Sequence, residues 1–226
     1  LAGRIYSQAP IACDPNSENV YFDGIPYAGT FDGNGHVIKN LTIDGAYYCG
    51  LFGKLSAGSV VQNLGVEGGA ITGANNYIGS LAGGNYGIII NCFTASEVNG
   101  IGNVVGGLVG GHASGGVIIS SFSIGSVFGN DYVGGLVGLD GGDITNCYSL
   151  GSVSGNKSIG GLVGLGSGDI TNCYSSGSVS GNSAVGGLIG AKITNPNEII
   201  TNSFWDIETS GQGLPGDHPW GAIGKT

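Results

Sequence analysis

Residues 132–156 read YVGGLVGLDGGDITNCYSLGSVSGN, and residues 159–182 read IGGLVGLGSGDITNCYSSGSVSGN. The two stretches are near copies of one another, so the chain contains an internal repeat, the first feature to look for in a sequence. A leucine that follows a glycine directly or after one residue anchors each copy, and it recurs at Leu51, Leu81, Leu108, Leu136, Leu162 and Leu188. The spacing between successive leucines is longest at the first pair and shortest at the last two pairs, so the repeat becomes more regular toward its C-terminal end.

Each repeat contains three short runs with β-strand character, which in the fourth copy are residues 133–137, 143–149 and 152–154. Glycine-rich corners separate the runs, and no stretch has the length or the 3.6-residue period of a helix. Parallel pairing would stack successive copies about 4.8 Å apart. We therefore predict an all-β fold, a single-stranded parallel β-solenoid (β-helix) of six to seven coils, each of roughly 26–30 residues. Parallel crossovers are usually right-handed, which predicts a right-handed coil.

The division of the chain follows from the extent of the repeats. We predict an N-terminal cap over residues 1–30, the solenoid over residues 31–209, and a C-terminal tail over residues 210–226. The chain opens on Leu1 and contains no Met, so we expect it to be a piece of a longer protein. The two ends of a solenoid are unpaired strand edges, and self-association through these ends is expected wherever a cap is missing.

Composition excludes several classes of function. Among 226 residues there are 49 glycines, charged residues make up 9%, the net charge is −9, and Arg4 is the only arginine. A nucleic-acid-binding protein needs a basic stripe, and an anionic membrane surface attracts basic segments, so neither partner is expected. The sequence also lacks an apolar run long enough to span a bilayer, which argues against membrane insertion.

Stacking of the coils places equivalent residues in columns along the axis. One column of asparagines is predicted to form a structural ladder of amides bonded from coil to coil: Asn40, Asn63, Asn91, Asn146, Asn172 and Asn202. The following position alternates between Leu, Cys and Ser, which predicts an inward site of limited volume. Within it, Cys147 and Cys173 are neighbours whose spacing suits either a disulfide or two inert buried thiols.

An aromatic column follows the cysteine column and is the candidate ligand-binding surface. It consists of Phe93, Phe122, Tyr148, Tyr174 and Phe204. If the cysteines point inward, strand alternation sends these rings outward, where they would stack on sugar rings. The alternative is that a corner resets the alternation and the rings pack into the core.

Carboxylates provide the candidate metal or catalytic site. Asp143 and Asp169 hold the same place in adjacent coils, and Asp140 lies three residues before the first. Two stacked carboxylates repel one another, so a bound cation would relieve them, and Ca²⁺ is the cation that oxygen ligands favour. The simpler interpretation is that they are solvated corner residues with no cofactor. A polysaccharide hydrolase or lyase acting through Asp143 and Asp169 is the alternative that would make the chain an enzyme.

The repeat pattern resembles the GLUG motif, named for its Gly-Leu-any-Gly core. The resemblance rests on the repeated GGLVG, ITNCYS and GSVSG segments, the opening FDGNGHVIKNLTID and the closing NSFWDIETSGQG. It implies large secreted or surface-anchored bacterial proteins, some of them adhesin-like and some adjoining metallopeptidases, but no single activity. His36, His112 and His218 do not form the H-E-x-x-H motif of a zinc peptidase.

These observations predict a non-catalytic module of a larger extracellular or cell-surface protein. We expect it to serve as a structural and adhesive solenoid that presents a face to an extracellular glycan or a surface protein.

Overall fold

The computed structural model describes residues 4–16, 18–193, 199–213 and 222–226. Within them the chain forms a parallel β-solenoid of about six turns, so the predicted fold class is confirmed. Every described strand pairing is parallel and joins one coil to the next, from the pair Ile5–Tyr6 with Thr42–Gly45 to the pair Phe204–Asp206 with Ile223–Lys225. The right-handed sense of the coil stays a prediction.

Four parallel sheets form the faces of the solenoid. The 13-stranded sheet contains Ile5–Tyr6, Val37–Lys39, Thr42–Gly45, Gly65–Gly73, Phe93–Gly100, Phe122–Ser123, Val127–Phe128, Tyr148–Ser149, Val153–Ser154, Tyr174–Ser175, Val179–Ser180, Phe204–Asp206 and Ile223–Lys225. The seven-stranded sheet contains Thr30–Asp32, Val60–Gln62, Ile88–Ile90, Val117–Ile119, Asp143–Thr145, Ile170–Thr171 and Ile200–Thr201. The six-stranded sheet contains Phe52–Leu55, Ala82–Asn85, Val109–His112, Val137–Asp140, Val163–Gly166 and Ile189–Lys192. The five-stranded sheet contains Ile78–Gly79, Val105–Gly106, Asp131–Gly134, Lys157–Gly160 and Ser183–Gly186.

A regular coil has five short strands, where the sequence predicted three longer ones. The run over residues 143–149 is divided at Asn146, whose φ of 55° is left-handed, and the run over residues 133–137 is divided at residues 135–136, between the strands Asp131–Gly134 and Val137–Asp140. A residue in the left-handed region turns the backbone out of the ladder, because its N–H and C=O no longer point along the sheet. The prediction of three strands was therefore wrong, since alternating hydrophobicity does not register a single-residue corner.

The core is a column of mainly aliphatic side chains along the solenoid axis. The anchoring leucines from Leu51 to Leu188 are all 0–2% exposed, and the central residues of the seven-stranded sheet, among them Ile118 and Ile144, are fully buried. Burial of stacked aliphatic side chains makes the largest favourable contribution to the stability of each coil on its neighbours.

Glycine is required where two sheets meet at a tight corner. A Cβ at Gly134 would collide with the carbonyl oxygen of Val137 and approach the amide nitrogen of Gly164 to 2.7 Å. Gly160 repeats this contact one coil later against the carbonyl oxygen of Val163. These corners explain part of the high glycine content, because any side chain would push adjacent coils apart.

Both ends of the described solenoid carry additional chain. At the N-terminal end, Ile11 and Tyr27 form parallel bridges to Phe52 and Leu55, so residues 4–30 cover the first complete coil. At the other end, Asp206 caps the short helix Ile207–Ser210, and the Trp205 indole donates a hydrogen bond to the Gln212 carbonyl. Residues 1–3 and 17 of the predicted cap, and 214–221 of the predicted tail, lie outside the described residues.

Candidate binding site

The asparagine column forms two hydrogen-bonded segments. Asn91 Nδ2 donates to Asn63 Oδ1 at 3.3 Å, and Asn172 Nδ2 donates to Asn146 Oδ1 at 3.0 Å. Asn202 extends the second segment at 3.2 Å, while Ser120 separates the two segments. All of these residues have a left-handed φ near 50°, which asparagine tolerates better than other residues with a side chain.

Asn40 does not belong to this ladder, so that prediction was wrong. In the first coil the ladder position is Gly33, and Asp32 Oδ1 accepts the hydrogen bond from Asn63 Nδ2 at 3.1 Å. Asn40 instead lies beside the bulge at Gly68, on the 13-stranded sheet. Sequence similarity misplaced it because the first coil joins its strands through a different corner.

A second asparagine ladder, which the sequence analysis missed, runs along another corner. Asn130 Nδ2 donates to Asn103 Oδ1 at 3.1 Å, and Asn182 Nδ2 donates to Asn156 Oδ1 at 3.0 Å. Asn156 Nδ2 links the two pairs by donating to Asp131 Oδ1 at 3.2 Å. The signal in the sequence was a Gly-Asn pair in each repeat, which was interpreted only as a turn.

The alternating Cys and Ser column is inward, and its side chains satisfy the backbone at the corner. The Cys147 N–H donates to Cys173 Sγ at 3.4 Å, and the Cys173 N–H donates to Ser203 Oγ at 3.1 Å. Each thiol in turn donates to a carbonyl two residues earlier, as Cys147 Sγ does to Thr145 at 3.2 Å. A small side chain with one polar atom is therefore needed there, which explains why Cys and Ser exchange.

All five cysteines are free thiols in this structure. Burial raises the pKa of the Cys92 thiol to about 11, and burial likewise raises the pKa of the Cys147 thiol well above its usual value. A thiol that stays protonated is a poor nucleophile. Cys147 and Cys173 are therefore two buried thiols in the structure and do not form the disulfide that was the other interpretation.

The aromatic column forms a continuous stack of rings on the 13-stranded sheet. Centroids of successive rings lie 4.6–5.5 Å apart and their planes differ by only 6–10° along Phe93, Phe122, Tyr148, Tyr174 and Phe204. All five side chains are half-buried, so the rings show their edges to solvent while each face contacts the next ring.

The ends of this stack are also covered. The ring of Phe93 lies over Gly65, where any side chain would collide with it, and the Lys225 ammonium lies 4.7 Å from the centroid of Phe204. Stacking on a sugar needs a free aromatic face. The geometry therefore favours a stabilising role for the aromatic column over the sugar-stacking surface that the sequence predicted. Only the edges of the rings are exposed to a ligand.

The three aspartates do not share one site. Asp143 is exposed and Asp169 is half-buried on the same sheet, where Asp169 Oδ1 accepts a hydrogen bond from the Ile199 N–H at 2.8 Å. Asp140 is 1% exposed, lies in register with His112 on the six-stranded sheet, and accepts from the Gly142 N–H at 3.3 Å. Grouping Asp140 with the other two was wrong, because the corner at residues 141–142 places it on the opposite side of the backbone. Across the described ranges, no three His, Cys, Asp or Glu residues are arranged to hold a metal ion.

A buried polar column crosses the core beside Asp140. Asn85 and His112 are 0% and 2% exposed, and Asn85 Nδ2 lies 3.1 Å from His112 Nδ1. Burial lowers the pKa of His112 to about 4, so the imidazole is neutral at physiological pH. From the sequence, His112 was tested only as a ligand of a zinc peptidase, and its position in the core was not predicted.

A cavity of about 130 Å³ between the first coils was not anticipated from the sequence. Tyr48, Tyr77 and Tyr86 line it with Lys54, and its floor includes Gly84 and Gly111. The rings of Tyr48 and Tyr77 stack at 4.7 Å with an interplanar angle of 8°. The Lys54 ammonium lies 4.7 Å from the Tyr86 centroid and 5.9 Å from the Tyr48 centroid.

The Lys54 ammonium and the hydroxyls of Tyr77 and Tyr86 in this cavity, which we call the Tyr–Lys pocket, are available to a ligand, whereas the Tyr48 hydroxyl donates to the Val20 carbonyl at 3.3 Å. Over the part of the chain that the structure describes, Lys54 has no carboxylate within 4.0 Å, and neither the Tyr77 nor the Tyr86 hydroxyl makes a hydrogen bond. Burial, with the neighbouring Tyr86, raises the pKa of Tyr77, and burial also raises that of Tyr48, so both phenols stay protonated donors. Aromatic walls with a few convergent polar groups are typical of ligand sites.

Comparison with known proteins adds a repeat motif to this geometry. Residues 129–154 and 155–180 match the model of the GLUG motif. The chain carries GLUG repeats. The two matches fall on the most regular coils of the solenoid, those in which the spacing between anchoring leucines is shortest.

Two relatives share part of this GLUG-repeat chain. It is 40% identical to Halomucin of Haloquadratum walsbyi, over 41% of this chain and 1% of Halomucin. It is 37% identical to a protein of Evansella cellulosilytica provisionally described as a Gly-rich membrane protein, over 39% of this chain and 14% of that protein. The chain therefore spans only a small part of the relatives that it matches.

A solved structure shares the fold. A Bacteroides ovatus protein provisionally described as an immunoglobulin A1 protease superposes with a TM-score of 0.65 and 23% identity, covering 88% of this chain and 67% of that one. At this identity the likeness shows the β-solenoid architecture alone. No described helix of the GLUG-repeat chain is long and apolar enough to cross a membrane.

Proposed function

We propose that the chain is a non-catalytic structural segment of a larger cell-surface or secreted protein, in which stacked coils set the length of a rod. The observation that carries this proposal is the continuity of the columns. The aromatic stack joins five coils, and in every sheet each strand bonds only to the coil before and the coil after it. In such an architecture, length grows with the number of repeats while each interface stays the same.

The relatives support a surface location for this chain and its place within a much longer protein. Halomucin and the Gly-rich membrane protein are many times longer than the part they share with this chain, as expected where a repeat serves as a building unit. The second relative is described as a membrane protein, which supports a surface location for this chain. Adhesion and end-to-end assembly through the solenoid ends stay predictions.

Insertion of additional coils tests the structural role. Four further copies of residues 157–182, placed after Asn182, keep each junction in the order Asn-Lys or Asn-Ser that the chain already uses. We expect small-angle X-ray scattering to show a maximum dimension longer by about 19 Å, at about 4.8 Å for each coil. The control is an insertion of the same composition in scrambled order, which should form a flexible loop. An unchanged dimension, or loss of folding in the ordered insertion alone, would contradict the proposal.

A second candidate function is recognition of an acidic sugar at the Tyr–Lys pocket. The specific observation is the unpaired Lys54 ammonium among three tyrosines, because a uronate offers one carboxylate for the cation and several hydroxyls for the phenols. The net charge of −9 opposes the binding of an anionic ligand. At physiological salt, however, charges more than about 8 Å from the ligand are largely screened, whereas Lys54 lines the pocket itself.

Calorimetric titration with trigalacturonate tests this candidate. We expect binding of trigalacturonate and not of neutral galactotriose, and the Lys54→Gln variant should bind at least about tenfold more weakly. Lys157→Gln is the matched control, since Lys157 is exposed on a regular coil and should have no effect. Equal binding of the neutral and acidic sugars would rule out the charge-based recognition.

A further inference from the structure

A buried carboxylate near the N-terminal end has a charge without a partner. Asp14 is 6% exposed, and its Oδ1 accepts hydrogen bonds from the N–H groups of Asn16 and Asp23, both at 3.2 Å. Its Oδ2 is fully buried and has no hydrogen-bond partner. No Lys, Arg or His nitrogen of the described chain lies within 4.0 Å of it. Since an ionised carboxylate removed from water is strongly unfavourable unless it is paired, this oxygen requires a positive partner.

Asp14 lines a polar cavity of about 180 Å³ that gathers oxygen donors from three segments. Ser7 and Gln8 come from the first, Asn16 from the same loop as Asp14, and Tyr47 from a corner of the first coil. The lining side chains carry carboxylate, amide and hydroxyl oxygens, with no thiol or imidazole among them. Donors of this kind suit a hard cation rather than zinc or copper.

We propose that this cavity binds Ca²⁺, with the Asp14 carboxylate as a ligand. Calcium takes six to eight oxygens in flexible geometry, whereas Mg²⁺ requires a near-octahedral set, and the cavity draws its donors from separate and irregular segments. One carboxylate among neutral oxygens corresponds to a dissociation constant of about 10⁻⁴–10⁻³ M, the range of extracellular calcium modules. The site differs from the Asp143 and Asp169 pair considered in the sequence.

Calcium at this position would link the N-terminal segment to the first coil. The Ser7–Gln8 segment follows the strand Ile5–Tyr6, and Tyr47 precedes Tyr48 of the Tyr–Lys pocket. Phe22, at the end of the same loop, packs edge-on against Tyr48 with ring centroids 5.1 Å apart. The inference is independent of the structural role proposed for the repeats, because it concerns only residues outside the regular coils.

Thermal unfolding of the whole chain tests the site. In 10 mM CaCl₂ we expect the Tm to rise by about 3 °C over NaCl of equal ionic strength, and by less in MgCl₂. Asp14→Asn keeps the shape without the charge, so it should abolish the calcium effect while the Tm without calcium stays at or above that of the native chain. Glu97→Gln, at an exposed position of the strand Phe93–Gly100, removes one negative charge away from the cavity, so it is the control and should keep the effect.

Terbium luminescence gives a second readout that does not depend on stability. Tyr47 lines the cavity, so Tb³⁺ bound there should show tyrosine-sensitised emission that calcium displaces and that Tyr47→Phe weakens. Asp14→Asn should lose the displaceable emission, and the control Glu97→Gln should retain it. A calcium shift that persists in Asp14→Asn, an equal shift in calcium, magnesium and sodium, or emission that calcium does not displace would overturn the proposal.

Discussion

Residues 129–180 and residues 4–90 form the same kind of coil but differ in what surrounds it. The two coils of residues 129–180 share the shortest leucine spacing, match the GLUG motif, and have corners of only a few residues. Residues 4–90 contain the longest leucine spacing, the bulge at Gly68–Gly69 and the loop around Asp14. The proposed calcium site lies in this irregular part, and so do the tyrosines and the lysine of the Tyr–Lys pocket, whose lining continues through Gly111 and His112 to Leu139 of the regular coils.

The difference teaches where a repeat protein can place a specific site. Similar coils produce columns of similar residues, and a column forms a flat, periodic surface. In such a column the rings already stack on the rings of adjacent coils, and the amides already hydrogen-bond to the amides of adjacent coils. A concave pocket with an unpaired cation requires residues that differ between neighbouring coils. We therefore expect the regular coils to govern stability and the irregular coils to govern recognition.

The largest expected effect comes from a side chain at a packed corner of the regular coils. Gly134→Ala places a Cβ against the Val137 carbonyl and the adjacent coil, so the free energy of unfolding should fall by at least about 3 kcal/mol. Gly141→Ala is the control, because its Cβ would meet no atom closer than 3.4 Å. Urea denaturation of both variants measures the difference, and equal stability of the two would contradict the packing described here.

The next effect concerns pH and the buried histidine at the border of the two regions. His112 has a folded pKa of about 4 against about 6.5 in the unfolded chain, so the unfolded state binds the extra proton between these values. Stability should therefore fall as pH drops from about 6.5 to about 4, by about 2.5 kcal/mol at pH 4.5 relative to pH 7.5.

Two variants separate the contribution of His112 to the pH dependence of stability from that of carboxylates that titrate in the same pH range. His112→Gln should remove the corresponding part of the pH dependence, whereas His36→Gln, at an exposed position, should leave the profile unchanged. Chemical denaturation at several pH values between 4 and 7.5 measures the free energy of unfolding of each variant. A slope that persists in His112→Gln would show that other groups cause the acid sensitivity.

A smaller effect is expected in the Cys and Ser column. Cys147→Ala removes the Sγ that accepts from the Ser121 N–H at 3.5 Å, which should reduce the free energy of unfolding by about 1–2 kcal/mol. Cys147→Ser keeps a polar atom at the same place and should be close to neutral, as the natural Ser121 and Ser203 indicate. Equal losses in the two variants would mean that thiol volume, rather than hydrogen bonding, decides this position.

The smallest effect is expected in the asparagine ladder. Asn172→Ala loses two solvent-exposed amide hydrogen bonds and places alanine at a φ of 54°, which should reduce the free energy of unfolding by about 1 kcal/mol. Asn172→Gly removes the same bonds without the backbone strain, so the difference between the two variants measures the conformational part alone. Thermal denaturation of the pair is sufficient, and an Asn172→Gly variant less stable than Asn172→Ala would contradict this explanation.

The sequence predicted those features that repetition determines. Repetition determines the parallel solenoid, the inward column that contains Cys147, and the neighbours within the aromatic column, since all follow from equivalent positions in adjacent coils. Single-residue corners were not predicted, because one left-handed residue leaves no mark on hydrophobic periodicity. Asn40 was misplaced because the first coil joins its strands through a different corner. The Tyr–Lys pocket could not be predicted at all, since Lys54 and Tyr86 meet only once the coils are stacked.

Hydrogen–deuterium exchange of the chain with and without trigalacturonate tests the division between the two regions most directly. Without ligand, amides of residues 129–180 should exchange most slowly, and with ligand the added protection should fall on peptides that contain Lys54, Tyr77 and Tyr86. Added protection on the peptides that contain Tyr148 and Tyr174 would contradict the account, because it would place recognition on the regular coils and their aromatic column.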